Sequence, residues 1–115
     1  MYKKNNRLKK RKQFNYIHAK GIVVSDSMMQ IKFVDTKSLC YKVGFSVSKK
    51  IGNAVIRNKV KRRLKESFRT LNISIPKNFY FVIIAKQPIV EASFEEIKLQ
   101  LSYCIQRMLE KNEKS

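Results

Sequence analysis

Apolar residues along this chain switch repeatedly between a helical and a strand period, and each switch marks an element. Between Lys10 and Lys20, Phe14, Ile17 and His18 share one face, which predicts a short helix stopped by Gly21. "IVV" at 22–24 predicts a short strand. "MMQIKFV" at 28–34 predicts another, with Met29, Ile31 and Phe33 on one face. "TKSLC" at 36–40 is a connection. "YKVGFSVS" at 41–48 then alternates cleanly: Tyr41, Val43, Phe45 and Val47 point one way, Lys42, Gly44, Ser46 and Ser48 the other. After "KKIGNA", Ile56, Val60, Leu64, Phe68 and Leu71 fall on one helical stripe, with Asn53 as N-cap and Asn72 as the stop. "FYFVIIA" at 79–85 is a continuous apolar run of strand length, the pattern of a central strand covered on both faces and closed off by Pro88. Ser93 and Glu96 make a capping box for a last helix, whose stripe is Ile97, Leu101, Cys104, Ile105 and Met108. Glu91, Glu95 and Glu96 sit at its positive dipole end. Residues 1–6 and the tail "EKNEKS" read as loose.

Helices interspersed with strands predict an α+β sandwich with a mixed sheet. The 115 residues suit one domain, ordered over about 7–110.

Charge changes the picture. Lys and Arg number 26 against 8 Asp and Glu, a formal net charge of +18. Such an excess opposes compaction by self-repulsion and attracts polyanions. No apolar run approaches the roughly 20 residues of a spanning helix, and none of signal-peptide length follows the basic N-terminus. The expectation is a cytoplasmic protein whose partner is nucleic acid and not a membrane.

The charge concentrates in "AVIRNKVKRRLKESFR", 54–69, where Glu66 is the only carboxylate between Asp35 and Glu91. Asn58, Lys61, Arg62, Lys65 and Arg69 lie opposite the apolar stripe, Lys59 and Arg63 flank it, and Arg57 is in the first turn. Cations so poor in acidic neighbours are not explained by intrahelical salt bridges. They suit phosphates, whose counterions each Lys or Arg contact releases. Arg adds planar two-point contacts, and the helix N-terminus, preceded by Lys49 and Lys50, adds free N–H groups. The element before this helix reads as a strand, so no helix-turn-helix is formed, and RNA is favoured over DNA. Phe14, Tyr16, Phe33 and Tyr41 are available for stacking, though each reads first as core. A basic ribosome-associated protein and a DNA-binding regulator stand as rival readings.

Little else carries chemistry. His18 is the only histidine, the acids are scattered without a cluster for Mg²⁺, and no glycine-rich phosphate loop is present. Cys40 and Cys104 lie far apart with no Cys-x-x-Cys pair, so ordinary semi-buried thiols are expected and a zinc site is not. The chain reads as a binder, with any catalysis supplied by its partner.

"RLKKRKQF" at 7–14, "VGFSVSKKIGNAVIRNKVKRRLKESF" at 43–68 and "FVIIAKQP" at 81–88 resemble, in order and spacing, the protein subunit of bacterial ribonuclease P. The resemblance implies a two-layer α/β sandwich, order α-β-β-β-α-β-α, with a mixed four-stranded sheet and a left-handed βαβ crossover. It also implies a function. A catalytic RNA subunit, paired 1:1 with the protein, carries the active site and its Mg²⁺ and removes the 5′ leader of precursor tRNA by hydrolysis. The protein binds that RNA and the leader and holds no cofactor of its own. The family's RNA-binding signature falls on Lys49, Lys50, Arg57, Asn58, Lys61, Arg62 and Lys65. Lys65 replaces the usual Arg, which keeps the charge and loses the two-point contact. The leader cleft between first helix and sheet falls on Phe14, His18 and Lys32. His18 stands where a second aromatic is common, and Lys32 where Tyr is frequent, so both trade stacking for polar or charged contact.

Overall fold

The structure, a computed structural model, describes residues 6–114. Its main elements are α1 (Arg11–Lys20), β1 (Ile22–Ser25), β2 (Met29–Asp35), β3 (Lys42–Ser46), α2 (Ala54–Thr70), β4 (Phe79–Ala85) and α3 (Phe94–Lys114). A 3₁₀ turn, Gln87–Glu91, precedes α3. The order is the α-β-β-β-α-β-α that the family resemblance implies.

The four strands form one mixed sheet in the order β1-β2-β4-β3. β2 runs antiparallel to both β1 and β4, whereas β3 and β4 are parallel, in a register that sets Gly44 opposite Val82. A parallel pair needs a crossover, and α2 supplies it. β4 lies between β2 and β3, which explains its unbroken apolar run: Phe81, Val82 and Ile83 are fully buried.

One face of the sheet meets α2 and α3. Ile31, Phe33, Val43, Phe45, Phe81 and Ile83 pack there against Val60, Leu64 and Phe68 of α2 and Ile97, Leu101 and Ile105 of α3. The Phe68 ring lies 5.9 Å from that of Phe81 and edge-on to those of Tyr41 and Phe45. The opposite face carries a smaller core of Leu8, Ile17, Val34 and Val82, with Phe14, Tyr80 and Ile84 packed at its margin. α1 covers only part of that face, and Lys32, Tyr80 and Ile84 stay half-buried on it.

Both expected caps form. Asn53 Oδ1 accepts from Ile56 N–H at 3.0 Å, and Ser93 and Glu96 bond reciprocally at 3.0 and 3.1 Å. Other details differ. β3 stops at Ser46, short of Ser48, because Ser46 already pairs with Ile84, one residue from the end of β4. Gly21 ends α1 with an ordinary negative φ. Glycine is needed there for close approach: a Cβ would stand 2.4 Å from the Ile17 carbonyl oxygen. α2 leaves the helix at Leu71 in extended conformation, so Asn72 is not its stop.

The ends are more ordered than their polarity suggests. Residues 1–5 lie outside the described residues, but Asn6 is buried and its amide donates to Tyr41 O at 2.8 Å. The tail stays helical through Lys114. Arg107 and Lys111 of this helix donate to Ser25 O and Val23 O of β1, both at 3.0 Å. Such long-range contacts override the weak local signal. Cys104 is fully buried, and its thiol donates to Asp26 Oδ2 at 3.1 Å. Burial, then that bond, push it up to about 12.

Candidate nucleic-acid interface

The turn before α2 is anchored from below. Ile51 is buried in the main core and its N–H donates to Ser48 O, leaving Lys49 and Lys50 exposed beside the start of the helix. Along α2, the burial of Val60, Leu64 and Phe68 fixes the rotation of the helix. Asn58, Lys61 and Arg62 therefore face outward and are exposed, while Arg57 and Lys65 are half-buried. The Nε of Arg57 is buried without a hydrogen-bond partner.

Two cations of this helix serve the fold. Arg63 Nη1 donates to Ala92 O at 3.1 Å, tying α2 to the start of α3. Arg69 pairs with Glu66 at 2.6 Å across one turn. This intrahelical pair accounts for Arg69 and leaves the other cations of the helix unexplained by salt bridges, as expected. It lowers the Glu66 carboxyl and raises the Arg69 guanidinium from their ordinary values, mainly through the hydrogen bond. Among the described residues, Lys61, Arg62 and Lys65 have no carboxylate partner.

On the other face, Phe14 sits against β3 at Gly44. A Cβ at Gly44 would meet the Phe14 ring at 2.6 Å, so only glycine admits the ring in this position. His18, one turn further along α1, is exposed. Lys32 stands half-buried on β2, paired in register with Val82. Partial burial, then the charge of Lys32, hold the imidazole below its ordinary pKa. The structure thus brings Phe14, His18 and Lys32 to one side of the sheet.

The two sets of residues adjoin. Lys61 and Lys65 line a recess together with Phe14 and Gly44, and Arg7 joins them there. The sequence offered no signal for Arg7 beyond a generally basic entry segment. Its position comes from a parallel bridge to Val43. Burial, then Lys61, then Arg7, push the Lys65 ammonium below its usual range. Among the described residues, no carboxylate pairs with Arg7, Lys61 or Lys65, so the site is suited to a polyanion with stackable groups. Among the described residues, no three His, Cys, Asp or Glu side chains come together as a metal site, and no helix is long and apolar enough to cross a membrane.

Known proteins resemble this chain in sequence and in fold. The Ribonuclease P family model matches residues 2–109. The ribonuclease P protein component of Bacillus mycoides is 39% identical over 106 residues, covering 91% of this chain and 92% of its own. That of Alkaliphilus metalliredigens is 36% identical over 104 residues, covering 90% and 94%. Among solved structures, the Staphylococcus aureus RNase P protein superposes with a TM-score of 0.80 at 32% identity, covering 90% of this chain and 94% of that one. The Thermotoga maritima RNase P protein gives 0.78 at 28% identity, covering 88% and 96%. With sequence, sheet order and helix placement all in agreement, the chain belongs to the ribonuclease P protein family.

Proposed function

We propose that this protein binds the catalytic RNA of ribonuclease P through α2 and the 5′ leader of precursor tRNA through the α1 cleft. It thereby assists hydrolytic removal of the leader. The observation that carries the reading is the adjoining, on one molecule of this family, of an aromatic-walled cleft and a helical face whose Lys61, Arg62 and Lys65 have no carboxylate partner among the described residues. Lys49, Lys50, Arg57, Asn58, Lys61, Arg62 and Lys65 hold phosphates of the catalytic RNA, while Phe14 offers a stacking surface and His18 and Lys32 polar contacts to the leader. The chemistry belongs to the RNA and its Mg²⁺. The protein's contribution is differential binding: cations placed around the leader strengthen substrate binding and reduce the charge that Mg²⁺ must neutralise.

Reconstitution tests this directly. With a candidate catalytic RNA in 1:1 ratio, the protein should lower the Mg²⁺ concentration needed to cleave a precursor tRNA. Alone and free of RNA, it should leave that substrate intact. Cleavage by the RNA-free protein, or an Mg²⁺ requirement that the protein does not move, defeats the proposal.

A further inference from the structure

The edge of the sheet joins the basic helix to the cleft. β3 is an outermost strand, and the segment 6–8 lies along its free side. Asn6 donates to Tyr41 O at 2.8 Å, Leu8 N–H donates to Val43 O at 3.0 Å, and Arg7 bridges to Val43 between them. Arg7 is thus held on the same recess as Lys61 and Lys65, with the Phe14 ring over Gly44 as an apolar wall. The recess measures about 80 Å³. That is room for a few waters, enough to admit one tetrahedral oxyanion. Among the described residues, none of the three cations is ion-paired. Their mutual repulsion, already felt at Lys65, is what a bound anion would relieve.

We propose that Arg7, Lys61 and Lys65 together seat one phosphodiester group of an RNA strand, with an adjacent base directed to Phe14. This rests on the RNA-binding reading above. It adds Arg7 as a binding residue and makes helix and cleft one continuous track. Arg7 supplies a planar two-point contact and the lysines supply point charges. The apolar wall limits water and so strengthens the electrostatic contact. The phosphate comes either from the leader or from the catalytic RNA.

The test uses full-length Arg7→Ala and Lys65→Ala and their double variant over a salt series. Each is titrated with catalytic RNA alone, and then, as reconstituted holoenzyme, with precursor tRNA and with the same tRNA lacking its leader. A single variant should weaken binding roughly tenfold, the loss of one charge-assisted hydrogen bond. It should also make the slope of log affinity against log salt shallower by about 0.7–0.9. The double variant should lose less than the product of the singles, because both groups hold one phosphate. A loss that vanishes with the leader assigns the phosphate to the leader; a loss already present with catalytic RNA alone assigns it there. Arg7→Lys should retain most of the salt slope. Unchanged affinity and slope in every arm overturn the recess, and so do independent, fully multiplicative losses. If Arg7→Ala melts below the assay temperature, Lys65→Ala on the facing wall tests the recess by the same readouts. Arg62→Ala separates the two levels. If it weakens catalytic-RNA binding while the recess variants do not, the recess alone fails; if it too changes nothing, the RNA-binding reading fails.

Discussion

At Gly44 the absence of a side chain is what seats Phe14. In Gly44→Ala the new Cβ would stand 2.6 Å from the ring. The ring is half-buried and can swing outward, so stability should fall by roughly 1 kcal/mol, the low end for overpacking. Precursor tRNA affinity should fall by about 1–3 kcal/mol, the scale of base–aromatic stacking, with mature tRNA bound as before. A large drop in melting temperature with an unchanged precursor-to-mature ratio would assign Phe14 to packing alone. His18 makes a second, separable case. Its folded pKa is depressed by burial and by Lys32, so the free protein binds that proton less readily than the unfolded chain. The stability associated with this shift is present above about pH 6.5 and is lost as pH falls from there through the folded value. A leader phosphate nearby would reverse the preference and draw a proton in. Calorimetry near pH 6 in buffers of different ionisation enthalpy should show proton uptake on precursor binding, absent in His18→Gln. Equal uptake by both proteins would remove His18 from the cleft.

At the scale of the element, α2 divides its cations between two duties. Arg62→Ala should weaken catalytic-RNA binding by about 1–3 kcal/mol and leave melting nearly unchanged. Arg63→Ala should do the reverse, lowering stability by roughly 1–2 kcal/mol through the lost bond to Ala92 O while RNA affinity holds. Interchanged phenotypes would refute this division. The sequence displayed the stripe that orients α2, because Val60, Leu64 and Phe68 repeat at helical spacing. It set Arg62 opposite the stripe and Arg63 at its flank, but it did not show that Arg63 ties α2 to α3, since the acceptor of Arg63 lies 29 residues along the chain. The same limit hid Arg7, whose position depends on pairing with Val43, and the helical tail, whose stability comes from contacts to β1. Gly44 was legible as a strand residue facing away from the main core. That an aromatic ring rests on it was not, because Phe14 and Gly44 lie far apart along the chain. Local patterns therefore revealed the elements and the basic face, while the joint between face and cleft arose from non-local packing.

At the scale of the whole molecule, a net charge of +18 keeps copies apart in dilute salt. That repulsion is screened within about 10 Å at 0.1 M ionic strength, and an RNA that neutralises the cations removes it altogether. β1, the other edge of the sheet, relies on something more local. Its Ile22 and Val23 side chains are 36% and 37% exposed, and its Val23 and Ser25 carbonyls are occupied by Lys111 and Arg107. In the Arg107→Ala, Lys111→Ala double variant both carbonyls are freed. Sedimentation velocity should then show concentration-dependent self-association in about 0.5 M salt and none at low salt, where charge repulsion is less screened, with the parent protein unchanged in both. Identical sedimentation of variant and parent at high salt would show that these two cations do not guard the edge. An unguarded strand is a template for edge-to-edge aggregation, and crowding many copies onto one polyanion would favour that outcome. Because the caps on β1 belong to the chain itself, protection against strand-by-strand polymerisation persists when the overall charge has been cancelled.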